Sequence, residues 1–288
     1  MISFTGGEPT VRTDLPKLVS RAVAEGLRVN LITYGTLMTE PLAAELKASG
    51  LASAQVSLEG PEEEIHDGLT GVPGSFRLTL RGLEALKKVG VPVHTNTTLN
   101  SRNVGSAARM PILAKSLGMT RLSMNLIIPS AWLKENNPDL LLTYSVIGAH
   151  VLAIREAARK AQVRFLWYSP TPYCLFNPIA HRFGNKGCAA CDGLLSIDPQ
   201  GQIIPCSSFL ESQGSLRNES FQNIWNSASA KRLREKAHAP EGCQDCDRFE
   251  LCEGACPLYW NVMGSSEIVP VHECCTDLVI PAKAGIQT

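Results

Sequence analysis

Ten cysteines occur in this chain, and none of them precedes Cys174. This asymmetry limits what the chain can fold into more than any other feature. Residues 1–173 have to hold together by apolar packing alone, whereas the remainder has thiols to organise it. No basic start followed by an apolar run opens the sequence, and the longest apolar stretch, Leu140 to Ile154, is interrupted by His150. The expectation is therefore a cytoplasmic protein with no membrane partner. In a reducing compartment structural disulfides are rare, so ten thiols point to metal.

The thiol-free part alternates two periodicities. Strand patterns fall at Ile2–Thr5, Arg28–Thr33, Ser53–Leu58, Val91–Thr98, Arg121–Ile127 and Val163–Tyr168. Helical patterns fall at Leu15–Glu25, Thr39–Gly50, Phe76–Val89, Ala107–Leu117 and Tyr144–Gln162. Alternation with ordinary loops predicts an α/β fold on a parallel sheet, with too few units for an eight-fold barrel. The thiol-rich part reads differently. Leu194–Asp198 and Gln202–Pro205 predict a hairpin, and Ser220–Lys236 predicts one helix. Beyond that helix the chain is loop-rich and too poor in apolar residues to build a core without metal. Lys plus Arg and Asp plus Glu number 27 each, so no cationic excess exists to neutralise phosphates, which argues against a mainly electrostatic nucleic-acid or membrane partner, and no nucleic-acid partner is expected.

The spacing of the thiols is specific. Cys243, Cys246, Cys252 and Cys256 form C-x2-C-x5-C-x3-C, Cys188 and Cys191 form C-x2-C, Cys206 follows Gly201, and Cys274 and Cys275 close the set. Thiolates select zinc or iron–sulfur clusters, and spacing alone leaves both open. Cys174 stands apart and reads as a small buried hydrophobe.

The turn Phe4-Thr5-Gly6-Gly7-Glu8-Pro9 follows a strand and precedes a helix. Its glycines permit close backbone approach to a ligand, and Glu8 can face a cation. With the thiol pattern, this turn makes the chain resemble the radical S-adenosylmethionine (SAM) enzymes that carry a SPASM extension. The SPASM pattern C-x9–15-G-x4-C is matched by Cys188, Gly201 and Cys206. Ile32–Met38 is similar to the family's third strand, with Tyr34 where Asn is usual. Val56–Gly60 is similar to the end of the fourth, with Glu59 where Asp is usual, and His66–Phe76 to the loop and helix start that follow.

The resemblance implies a partial (β/α)6 TIM-like barrel lacking its first βα unit over 1–170, a small cysteine-rich SPASM domain over 171–277, and a tail over 278–288. It implies SAM held by Gly6, Gly7, Glu8, Ser57, Glu59 and Asn96. It implies two auxiliary [4Fe-4S] clusters, one on Cys188, Cys191, Cys206 and Cys256, the other on Cys243, Cys246, Cys252 and one of Cys274 or Cys275. The activity implied for the full-length form is reductive SAM cleavage to modify a peptide or cofactor precursor, fed by a flavodoxin- or ferredoxin-type electron donor. The family's C-x3-C-x2-C motif is not in the sequence, and the expectation is that roughly 30 to 50 residues, one βα unit and a short leader, are missing through a misplaced start or truncated gene model, with a real loss of the cluster as the alternative. As written, the chain is expected not to cleave SAM alone. Ser207 replaces the general-base Asp of sulfatase-maturing members, which argues against that substrate, and no other side chain is assigned as the base. The alternatives are a non-catalytic iron–sulfur electron carrier or partner subunit, and a zinc-stabilised interaction module.

Overall fold

The computed structural model describes residues 1–268 of the chain. They form two compact units. The first comprises Met1–Ile127 and Ala149–Tyr168, and the second comprises Ile128–Gly148 and the described chain from Ser169 onward.

In the first unit six strands form one parallel sheet in sequence order: β1 (Ile2–Phe4), β2 (Val29–Thr33), β3 (Ser53–Ser57), β4 (Val93–Leu99), β5 (Arg121–Leu126) and β6 (Arg164–Trp167). The helices between them are α1 (Leu15–Ala24), α2 (Glu40–Ala48), α3 (Glu63–Thr70), α4 (Ser75–Lys88) and α5 (Met110–Ser116). α1 buries Leu15, Val19 and Ala22, one stripe at helical spacing. α2 starts on Thr39, whose hydroxyl accepts from the Leu42 amide at 3.3 Å. α3 is an addition to the loop expected there. It ends where Gly71 takes φ +70°, and Asp67 then accepts from the Gly74 and Phe76 amides to start α4. The start expected at Ala107 is a 3-10 turn that becomes α5 at Met110.

α4 lies close to the turn after β2. A Cβ on Gly82 would sit 2.0 Å from the Gly35 carbonyl oxygen, so only glycine permits this approach. The same turn carries Tyr34.

The second unit contains α6 (Ala131–Asn136), the start of α7 (Tyr144–Ala161), and a three-stranded antiparallel sheet. The sheet comprises β7 (Ser196–Ile197), β8 (Gln202–Ile204) and β9 (Gly214–Ser215). The expected hairpin is β7–β8, and the two-residue β9 is too short to show any periodicity. The single helix expected over Ser220–Lys236 is two: α8 (Phe221–Trp225) and α9 (Ala228–Arg234). The reason is capping. Ser220 accepts from the Asn223 amide and Ser227 accepts from the Ala230 amide, so the second serine starts a new helix where one was expected to continue. Three short helices follow: α10 (Glu241–Gln244), α11 (Phe249–Cys252) and α12 (Pro257–Met263). Among the described residues no helix is long and apolar enough to cross a membrane.

Candidate SAM-binding face and thiol centres

The sheet of the first unit has two unlike faces. Leu31, Ala54, Val56, Leu122 and Met124 are buried on one side of their strands. The alternate positions are mostly polar, and the register aligns them in rows. Gln55 lies beside His94, Ser57 beside Asn96, Asn96 beside Ser123, and Thr98 beside Asn125. Parallel sheets are normally apolar on both faces. A polar face on such a sheet requires a polar ligand or solvent against it.

The rows are hydrogen-bonded. Asn96 Nδ2 donates to Asn125 Oδ1 at 2.7 Å and Ser123 Oγ donates to Asn96 Oδ1 at 2.8 Å. Asn96 therefore works within this face and does not cap its own loop. Ser123, Thr98 and Asn125 are members that sequence reading missed, although the alternation in Ser-Met-Asn of β5 is its trace.

The C-terminal ends of β1, β2 and β3 bring two carboxylates to one tyrosine. Glu8 Oε1 accepts from the Thr10 amide at 3.0 Å and from the Thr33 hydroxyl at 2.6 Å, while Oε2 accepts from the Tyr34 amide at 2.8 Å. Thr10 Oγ1 also donates to it. These bonds hold Glu8 in one orientation. Glu59 Oε2 accepts from the Thr98 amide at 2.9 Å, but burial outweighs that bond and pushes the carboxyl up to about 7. The Tyr34 phenol is raised by burial and then by the charges of Glu59 and Glu8. His66 and Asn103 fix the Glu59 main chain. His66, fully buried, accepts the Glu59 amide on Nδ1 at 3.1 Å, and Asn103 Nδ2 donates to the Glu59 carbonyl at 2.9 Å. His66 and His94 are buried and bonded, so neither is a surface residue. Gly6 has φ +129°, and a Cβ on Gly6 or Gly7 would enter open space. Bare backbone beside fixed carboxylates fits a cationic, zwitterionic ligand such as SAM.

In the second unit the thiols fall into two sets. Cys256 is pushed up to about 12, first by burial and then partly by Cys188 and Cys206. Cys191 is raised by burial and by the same two thiols. These four are the expected first set. Cys243 is likewise pushed up to about 12 by burial, then by Cys252, Cys174 and Cys246. Those last four line one cavity together with Tyr173, Phe249 and Ile268. Cys274 and Cys275 lie outside the described residues.

The chain between Cys252 and Cys256 separates the sets. Glu253, Gly254 and Ala255 all have positive φ, at +57°, +67° and +64°. Two non-glycine residues in this region carry local strain of about 1 kcal/mol or more each. The resulting left-handed turn sends neighbouring cysteines to different sites.

The donor chemistry fits clusters. Four thiols around one cavity supply the one terminal thiolate per iron that a [4Fe-4S] cluster takes. Backbone amides point at sulfur as well: the Tyr173 N–H donates to Cys252 Sγ at 3.3 Å. Such bonds stabilise thiolates once iron is bound.

The radical SAM superfamily profile matches residues 1–103, and the SPASM iron-sulfur cluster-binding domain profile matches residues 188–247. A PqqA peptide cyclase of Xanthomonas campestris is 30% identical over 298 residues, covering 99% of this chain and 75% of that protein. The chain belongs to the radical SAM family. Its SPASM-type part makes it a radical SAM/SPASM enzyme, and its cofactors are SAM and auxiliary [4Fe-4S] clusters. An AdoMet-dependent heme synthase of Methanosarcina barkeri is 28% identical over 268 residues, covering 88% of this chain and 76% of that protein. Among solved structures, anSMEcpe with bound AdoMet aligns with TM-score 0.69 at 16% identity, over 95% of this chain and 78% of that one. SuiB of Streptococcus suis bound to S-adenosylmethionine aligns with TM-score 0.70 at 16% identity, over 92% and 63%. At that identity the likeness concerns the fold, and it agrees with the parallel six-stranded sheet.

Proposed function

We propose that this protein modifies a peptide, binding SAM over the ends of β1–β4 with a barrel part over 1–170, a cluster-bearing part over 171–277 and a tail over 278–288. The observation that carries the reading is the polar strand-end face, with its two carboxylates, in one chain with two sets of thiols. A peptide is favoured over a haem-type precursor because a Xanthomonas campestris peptide cyclase matches 99% of the chain at 30% identity, whereas the heme-synthase relatives reach 92% at 28%.

The residues have distinct tasks. Gly6 and Gly7 leave main chain open for the methionyl end of SAM. Glu8, held by Thr10, Thr33 and Tyr34, takes the ammonium. Ser57, Glu59 and Asn96 face the adenosyl end. Cys188, Cys191, Cys206 and Cys256 hold one cluster. Cys243, Cys246 and Cys252 hold the other. When bound, these groups supply one-electron and hydrogen-abstraction chemistry. The protein's own part is to orient them and exclude water. Ten thiols suit a cytoplasmic setting with a flavodoxin- or ferredoxin-type donor.

Equilibrium binding of SAM to the anaerobically reconstituted chain tests the site. Saturable binding that weakens roughly tenfold to hundredfold in Glu8→Gln supports it, and no binding by the unaltered chain overturns it. Deleting the gene tests the substrate class. An unmodified peptide accumulating in the cells supports the reading, and an accumulating tetrapyrrole replaces it with the haem-type one.

A further inference from the structure

We propose that Cys174 is the fourth thiolate of the second cluster, alongside Cys243, Cys246 and Cys252. The inference rests on the cluster reading above. It adds a ligand that lies outside the cysteine pattern and 69 residues before Cys243 in the chain.

Three observations converge. Cys174 lines the same cavity as the other three thiols. It acts electrostatically on both Cys243 and Cys252, in company with Cys246. Its neighbour Tyr173 donates its amide to Cys252 Sγ at 3.3 Å, which ties this segment directly to a cluster sulfur. A tight turn presents the thiol: the Leu175 and Phe176 amides both donate to the Pro172 carbonyl, at 3.0 and 2.9 Å. Cys174 sits at the apex of that turn.

The chemistry is balanced in the ordinary way. A cluster of four irons takes one terminal thiolate per iron, each thiol giving up its proton as its Fe–S bond forms. Three of the four come from a single run of ten residues, Cys243 to Cys252. A fourth from a distant segment closes a long loop through the metal, and long closures restrain the chain most. The cluster would then pin the segment that leaves β6 to the end of the SPASM-type part.

The test uses the full chain, anaerobically reconstituted, with iron and acid-labile sulfide counted per chain. The unaltered protein is expected to hold roughly eight irons, as two four-thiolate [4Fe-4S] clusters require. Cys174→Ser is expected to lose about half of that iron or to show the signal of a three-iron cluster by low-temperature EPR. The double variant Cys274→Ser/Cys275→Ser is expected to keep its iron. A Cys174→Ser protein with unchanged iron and unchanged EPR overturns the inference.

A measurement on the unaltered protein guards against misfolding of the variant. Alkylation mapped by mass spectrometry is expected to spare Cys174 in the loaded protein and to reach it after iron is chelated. Labelling of Cys174 in the loaded protein also overturns the inference. An unaltered chain that takes up no iron is a different result, because it removes the cluster reading itself and the inference with it.

Discussion

Lys236 is buried, and three oxygens hold its side-chain nitrogen. Its ammonium donates to the Cys188 carbonyl at 2.6 Å and pairs with Glu253 at 2.9 Å and Asp192 at 3.4 Å. Arg234, two residues earlier, donates to the Cys191 carbonyl at 3.1 Å. Two cations from one helix end therefore grip both carbonyls of the C-x2-C loop. Removing one partner of a buried pair costs on the order of 3 kcal/mol. Lys236→Met should thus speed amide exchange in the 188–192 loop of the loaded protein by roughly a hundredfold. Unchanged exchange there would show that the loop is held without it. Nothing in the sequence marks this lysine, since only folding brings residue 236 to residue 188. Glu59 is the opposite case, because its motif was legible and only its ionisation was not. Its carboxyl is raised from 4.5 to about 7 by burial, near Tyr34 and Glu8. A carboxyl raised in the fold lowers stability as pH climbs from 4.5 through about 7, by about 3 kcal/mol when fully ionised. A carbon-13 titration should find the Glu59 midpoint near 7 in the SAM-free chain. A midpoint near 4.5 would refute the burial argument, and Glu59→Gln should abolish the associated pH dependence of stability.

At the scale of elements, the six strands could be read because each is a β-rich run between turn residues, and the register then did the rest. What the run could not show is which neighbours meet. Gln55, His94 and Arg121 stand side by side on β3, β4 and β5. His94 Nε2 donates to Gln55 at 3.2 Å, and Nδ1 accepts from Arg121 at 3.3 Å. Burial first, and Arg121 second, lower the imidazole to about 4. A histidine kept neutral in the fold contributes stability above its unfolded pKa of 6.5. That stability is lost as pH falls from 6.5 through about 4, amounting to about 3 kcal/mol. Urea unfolding of the first unit can be followed through Trp167 in a variant whose other tryptophans are phenylalanine. It should show this acid loss, and His94→Gln should remove it while keeping a bond to Arg121. An equal acid loss in both proteins would assign it to other groups. The misread elements have a common cause. The break between α8 and α9 rests on one serine hydroxyl, and β9 rests on two residues, so neither leaves a periodic pattern to read.

For the whole molecule, the contrast between the two units is one of what each can bury. The first packs Leu31, Val56, Leu83, Leu86 and Leu122 at or near zero exposure around a six-stranded sheet. The second has strands of two or three residues and helices of four to seven beyond Ser169. One of its small clusters is only Cys191, Ala230 and Leu233 with Phe209 against it, and the tilted rings of Tyr144, Tyr259 and Trp260 form another. Elements that short do not stand alone, so iron held by the thiols has to supply much of their folding free energy. Cys191 itself lies in the Cys191–Ala230–Leu233 cluster, which couples metal loading to packing there. Chelating the iron should therefore open the 185–260 region to limited proteolysis while fragments spanning β1–β5 survive. Equal resistance before and after chelation would mean that packing alone holds the second unit. Loss of both units together would mean that the first depends on the clusters as well.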